Sequence, residues 1–172
     1  MGYLELACRT ATLLVFLVAA VAKSRDLEGF TISVRQLAPV LDRVAGTARA
    51  LAVAVVTGEF CAVAALAVPA TARWGLGLAL LMEAGFAAAI AVALRRPGSG
   101  SCRCFGTRGR SWSARHLVRD GLLMAVAAAG LAAAQADSGG AAGWPGRATT
   151  IAAGAFGALL VVFFDDMVEV FS

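Results

Sequence analysis

Cys102-Arg103-Cys104-Phe105-Gly106 is the densest chemistry in this sequence of 172 residues. Two thiols separated by a single residue can close only a small, strained disulfide ring. Strain makes such a bond labile, which suits exchange rather than stapling. Arg103, Arg108 and Arg110 surround the pair with positive charge, and that favours thiolate, the attacking form. The surrounding stretch is polar and Gly-rich, so a partner could reach it. The bland alternative is two unrelated loop cysteines. Redox use is the favoured reading, because clustered Cys outside a hydrophobic core rarely serves packing. Zinc is weaker: Cys102, Cys104 and His116 give three ligands in a spacing unlike a zinc finger. No metal is expected.

Other candidates sit in apolar surroundings. Cys8 and Cys61 fall at similar depths of two apolar blocks and could form a second redox pair. Two small buried residues is the preferred reading. Glu59 and Glu83 fall near the middle of two successive blocks, where a charged carboxylate is costly. Each is expected to be protonated, paired or facing a wet cavity. If they meet, they could relay protons or serve the thiol chemistry; otherwise they fix helix packing. Lys23 ends the first block and is expected to snorkel to the interface. His116 reads as a bystander in a basic stretch. Trp74, Trp112 and Trp144 read as an aromatic belt.

The elements that must carry these residues are apolar. Hydrophobic types make up 60% of the chain and charged residues 15%, against about 45–50% and about 25% in soluble domains. Disorder and a disulfide-dense mini-protein are both excluded. Apolar blocks run over 3–22, 47–68, 74–94, 117–136 and 148–164, each long enough to approach or cross about 30 Å of hydrocarbon as a helix. No strand alternation suggests a barrel. The fold expected is all-α: a polytopic transmembrane bundle, with a four-helix core and a fifth, C-terminal membrane helix, forming a single integral membrane domain. Gly75, Gly77, Gly85, Gly121, Gly130, Gly154 and Gly157 would let the helices pack closely. A signal peptide ending at Ala20-Val21-Ala22 is the minority reading, because Lys23 and Arg25 follow the cut. Residues 23–46 predict a short interfacial amphipathic helix ending near Pro39. Residues 95–116 form the redox loop.

Charge gives the expected orientation. Twelve of the fifteen basic residues lie in the first and third connections and the start of the fourth block. Five crossings put those connections on one side, and the positive-inside rule makes it cytoplasmic, with the N-terminus outside. Topology thus accounts for the net charge of +4, and a nucleic-acid role has no support. The chain carries no P-loop, dinucleotide Gly fingerprint, HExxH or nucleophile elbow.

Several motifs together carry a resemblance. Cys102-x-Cys104-Phe105-Gly106 leads into Leu117-x-Arg119-Asp120-x-x-Leu123, although Asp120 stands where Asn is expected. Lys23-Ser24-Arg25-Asp26-Leu27-Glu28-Gly29-Phe30 matches a Lys-x-x-Asp-x-x-x-Phe pattern, with Pro39 and Glu59 beyond it. Over roughly residues 5–136 the chain resembles the methylamine-utilisation MauE family, within the DoxX-like group of redox-associated membrane proteins. The resemblance implies a bacterial plasma-membrane protein that supports maturation of methylamine dehydrogenase, a disulfide-rich client, beside a thioredoxin-like partner. It makes Cys102 and Cys104 the redox pair, with Arg103, Phe105, Gly106, Glu59, Glu83 and Lys23 in support. By analogy with quinone-linked disulfide oxidoreductases, a quinone is a candidate cofactor. A periplasmic client would put the pair outside; the charge count puts it inside, and the charges are followed here. A non-enzymatic assembly scaffold and a small transporter using Glu59 and Glu83 remain the alternatives.

Overall fold

A computed structural model describes residues 2–37, 46–95, 101–102, 110–111, 114–136 and 143–163; for 101–102, 110–111 and 114–116 it describes the backbone alone. The chain forms α1 (Tyr3–Arg25), α2 (Leu27–Leu37), α3 (Thr47–Ala67), α4 (Ala72–Leu94), α5 (Ala114–Ala136) and α6 (Trp144–Val162), with a 3₁₀ turn at Pro69–Thr71. Two-residue strands β1 (Ser101–Cys102) and β2 (Arg110–Ser111) pair antiparallel between α4 and α5.

Five of these helices are long and apolar enough to cross a membrane. Their interiors are Ala, Leu and Val, which close every backbone hydrogen bond within the helix, as hydrocarbon demands. The all-α bundle expected from the sequence is the fold observed. α1 packs on α3, α3 on α4, α4 on α5 and α5 on α1, which closes a ring of four. α6 lies outside that ring against α1. Leu81, Phe156, Leu159 and Phe163 are exposed, as befits side chains that face lipid rather than a core.

Close helix contacts rest on three of the seven glycines singled out by sequence. A Cβ on Gly75 would lie 2.8 Å from Leu66 of α3, one on Gly130 would lie 2.8 Å from the Cβ of Cys8, and one on Gly154 would lie 2.6 Å from the carbonyl oxygen of Ala7. At Gly77, Gly85, Gly121 and Gly157 an added Cβ meets nothing within 4 Å, so those four are not packing positions. Glycine is required in another sense at Gly46, which starts α3 at φ +87°, a conformation that disfavours a Cβ.

α2 is the amphipathic helix expected between the first two spans, and it is sunk deeper than an interfacial helix would be. Phe30 and Val34 are buried against Ala48 and Ala52 of α3, while Ile32 is exposed. The apolar pattern is thus split between two faces. Asp26 starts α2: its Oδ1 accepts from the Gly29 N–H at 3.0 Å, the usual way of satisfying a first-turn donor. Pro39 lies outside the described residues. α5 begins at Ala114, one turn before the apolar block at Leu117, because Arg115 and His116 can extend a helix beyond hydrocarbon.

Candidate functional site

Five ionisable residues converge inside the end of the bundle formed by the C-terminal halves of α1 and α4, the first two-thirds of α3, the N-terminal half of α5, and α2. They are Lys23, Glu59, Glu83, Arg119 and Asp120, none more than 6% exposed. Lys23 donates to Oε1 of Glu59 in a buried ion pair. Its ammonium lies 5.4 Å from the centre of the Phe30 ring and 4.9 Å from that of Phe86, a geometry in which ring faces attract the cation. Arg119 Nη2 donates to Asp120 Oδ1 at 3.1 Å. Glu83 lies within electrostatic reach of all four.

The Lys-x-x-Asp-x-x-x-Phe pattern now has a physical meaning. Lys23 ends α1 and reaches Glu59; Asp26 turns the chain and starts α2; Phe30, one helical turn on, closes over the ammonium. Snorkelling of Lys23 to the interface, expected from its place at a helix end, is not what happens: it is 3% exposed. The carboxylate of Glu59 supplies a partner inside, and a paired ammonium need not reach water.

These groups line a cavity of about 370 Å³. Its walls are otherwise apolar, from Val15, Phe16 and Ala19 on α1 to Val55, Met82, Phe86, Ile90 and Leu123. Lys23 already satisfies one oxygen of Glu59. The other, Oε2, is buried and has no hydrogen-bond partner among the described residues. A buried carboxylate oxygen without a donor is costly, which marks this wall of the cavity as incomplete.

Sequence reasoning set Glu59 and Glu83 at one depth, and the structure puts both on this cavity. It missed Arg119 and Asp120, which counted only as loop charge and motif positions. The available signal was their place inside an apolar block, two and three residues after Leu117. Such charge is rare in a membrane span without a function or a partner.

The strand Ser101–Cys102 runs against α2, a wall of the cavity, and its register puts Cys102 opposite Arg110. Arg103, Cys104, Phe105, Gly106 and Trp112 lie outside the described residues, and the His116 side chain is likewise not described. Cys8 and Cys61 are both free thiols, the first buried and the second exposed. They are not joined, and they face different surroundings. No group of His, Cys, Asp and Glu able to hold a metal occurs among the described residues. Trp74 and Trp144 are exposed near the starts of their helices, as a membrane-interface belt requires.

Compared with known families, residues 1–133 match the model of methylamine utilisation protein MauE. The chain belongs to the MauE family. That match takes in α1 to α4, the Cys-x-Cys loop and most of α5, and so the whole four-helix ring; α6 lies beyond it. Family and helices together make the chain a multi-pass membrane protein of the MauE family. No curated protein and no solved structure matches it.

Proposed function

We propose that this MauE-family protein carries out thiol–disulfide exchange through Cys102 and Cys104 with a thioredoxin-like partner. In doing so it supports maturation of a client enzyme that contains disulfides, in methylamine utilisation. The observation that carries the reading is the Cys-x-Cys-Phe-Gly element itself, inside the family match, in a polar loop between two membrane helices. Support comes from Arg110, the cationic residue at the partner position of Cys102, since positive charge favours the thiolate. A ring closed by two cysteines so near in sequence gains little as a cross-link, so its use lies in exchange.

The orientation follows the charges. The loop that bears the pair faces the cytoplasm, because twelve of the fifteen basic residues lie at that end. A membrane-impermeant maleimide should then label reduced Cys102 and Cys104 only after the cell is opened. Labelling in intact cells reverses the topology.

Trapping tests the exchange. Cys102→Ser should keep the parent melting temperature in detergent, while the remaining thiol captures a thioredoxin-like partner as a mixed disulfide on a non-reducing gel. Cys104→Ser runs beside it to find which sulfur is attacked. If neither variant traps a partner and both melt well below the parent, the pair is structural and the protein is an assembly scaffold.

A further inference from the structure

The cavity between α1, α2, α3, α4 and α5 is not used by the exchange reaction as such, and its chemistry is specific. Four of its charges pair among themselves: Lys23 with Glu59, and Arg119 with Asp120. Glu59 Oε2 is buried on the cavity wall and has no hydrogen-bond partner among the described residues. Lys23 donates to the other oxygen of this carboxyl in a buried ion pair, and a carboxylate held in an ion pair accepts but does not donate. An occupant that completes the wall must therefore bring an O–H or N–H.

A cationic amine fits poorly. The faces of Phe30 and Phe86, which would otherwise attract a cation, already have the Lys23 ammonium at 5.4 Å and 4.9 Å from their centres. A neutral hydroxyl is the better match. The remaining walls are apolar, and the volume of about 370 Å³ accommodates a ring with a short hydrocarbon tail. Four of the five helices around the site are candidate membrane spans, so an occupant soluble in lipid can reach it. One wall of the cavity, α2, also touches the strand that carries Cys102.

We propose that this cavity binds a quinone and its hydroquinone, and that the quinone is the electron acceptor for the Cys102–Cys104 dithiol; the electron step rests on the exchange reading above. Two S–H bonds break and one S–S bond forms. The two electrons and two protons released pass to the quinone, whose two carbonyl oxygens become the hydroxyls of the hydroquinone. Both forms have partners in the site. The hydroquinone donates an O–H to Glu59 Oε2. The quinone, which only accepts, takes a hydrogen bond from Lys23, whose ammonium carries three donors and gives one to Glu59.

The test uses the full chain in detergent, with Cys102 and Cys104 both changed to Ser so that no electrons move, and a benzoquinone bearing one isoprene unit as the probe. Titrated anaerobically in its reduced and oxidised forms, the probe should bind saturably at one site. Glu59→Gln should weaken the hydroquinone by about tenfold or more, the loss of one charge-assisted hydrogen bond. The same change should weaken the quinone less. Gly85→Phe supplies a second route, because a Cβ at Gly85 meets nothing within 4 Å and the ring would project into the cavity it lines. It should weaken both forms. Absence of saturable binding to the parent, binding undiminished by Gly85→Phe, or tight binding of butylammonium in place of the probe overturns the proposal. On the parent chain, oxidation of the dithiol by glutathione disulfide, read as a mass loss of two hydrogens, reports the pair by itself. Exchange without probe binding sinks the quinone site alone. Probe binding without exchange upholds the site and overturns the electron step.

Discussion

The two ends of the bundle both bury charge, and they do so differently. At the end where α3 meets α4, Arg9 of α1 donates through Nε to the carbonyl of Leu66 and through Nη2 to that of Ala67, the latter at 2.9 Å. These carbonyls belong to the last turn of α3, which has no partners within its own helix. Glu5 stands near in the same helix and acts on Arg9 electrostatically. Thr71 adds a hydroxyl to the carbonyl of Ala65 at 2.8 Å. The buried guanidinium there has a backbone task. At the opposite end, Lys23, Glu59, Glu83, Arg119 and Asp120 surround open space, and Glu59 Oε2 lacks a donor among the described residues. Buried charge that satisfies backbone is architecture. Buried charge that faces a cavity with an acceptor to spare is a site.

The comparison breaks most sharply at Lys23. Lys23→Met leaves Glu59 buried without its cation and should cost roughly 3–5 kcal/mol, read as a drop in melting temperature in detergent. Pairing it with Glu59→Leu should recover most of that loss, since no charge then remains unpaired. An unaltered single variant would mean that the pair is not buried in the folded protein.

Arg9→Gln comes next. It removes charged donors from the last turn of α3 and should cost about 2–3 kcal/mol by the same melt. Because this end is architecture, binding of the benzoquinone probe to the folded fraction should not change. A weakened probe would show that the two ends are coupled.

The smallest effects compare packing. Gly154→Ala would bring a Cβ within 2.6 Å of the Ala7 carbonyl oxygen and should cost about 1–2 kcal/mol as α6 shifts off α1. Gly85→Ala enters open space at the cavity and should lie within about 0.5–1 kcal/mol of neutral, on the stabilising side through helix propensity. Equal melting temperatures for the two variants would remove the distinction between a sealed end and an open one.

Much of this arrangement is written locally. Apolar run length determined the five spans, because hydrocarbon leaves a backbone no choice but the helix. Asp26 and Gly46 mark helix starts through their own side-chain and backbone chemistry. The Cys-x-Cys-Phe-Gly element and the Lys-x-x-Asp-x-x-x-Phe pattern were visible as spacing alone and point to the MauE family. Depth along a helix could also be counted, which is why Glu59 and Glu83 were expected at one level.

What the sequence could not supply is the angle of each residue around its helix and the identity of its neighbour. α3 and α4 are so uniformly apolar along their spans that no polar face sets their rotation. Packing set it instead, through close approaches at Gly75, Gly130 and Gly154. That rotation turned Lys23 inward to Glu59 rather than outward to the interface, joined Arg119 and Asp120 to the same cluster, and left Cys8 buried while Cys61 faces out. The cavity exists only because five helix segments meet around it, each contributing residues separated by tens of positions in the chain. Composition and periodicity act over a few residues; a shared void among helices is a property of their assembly.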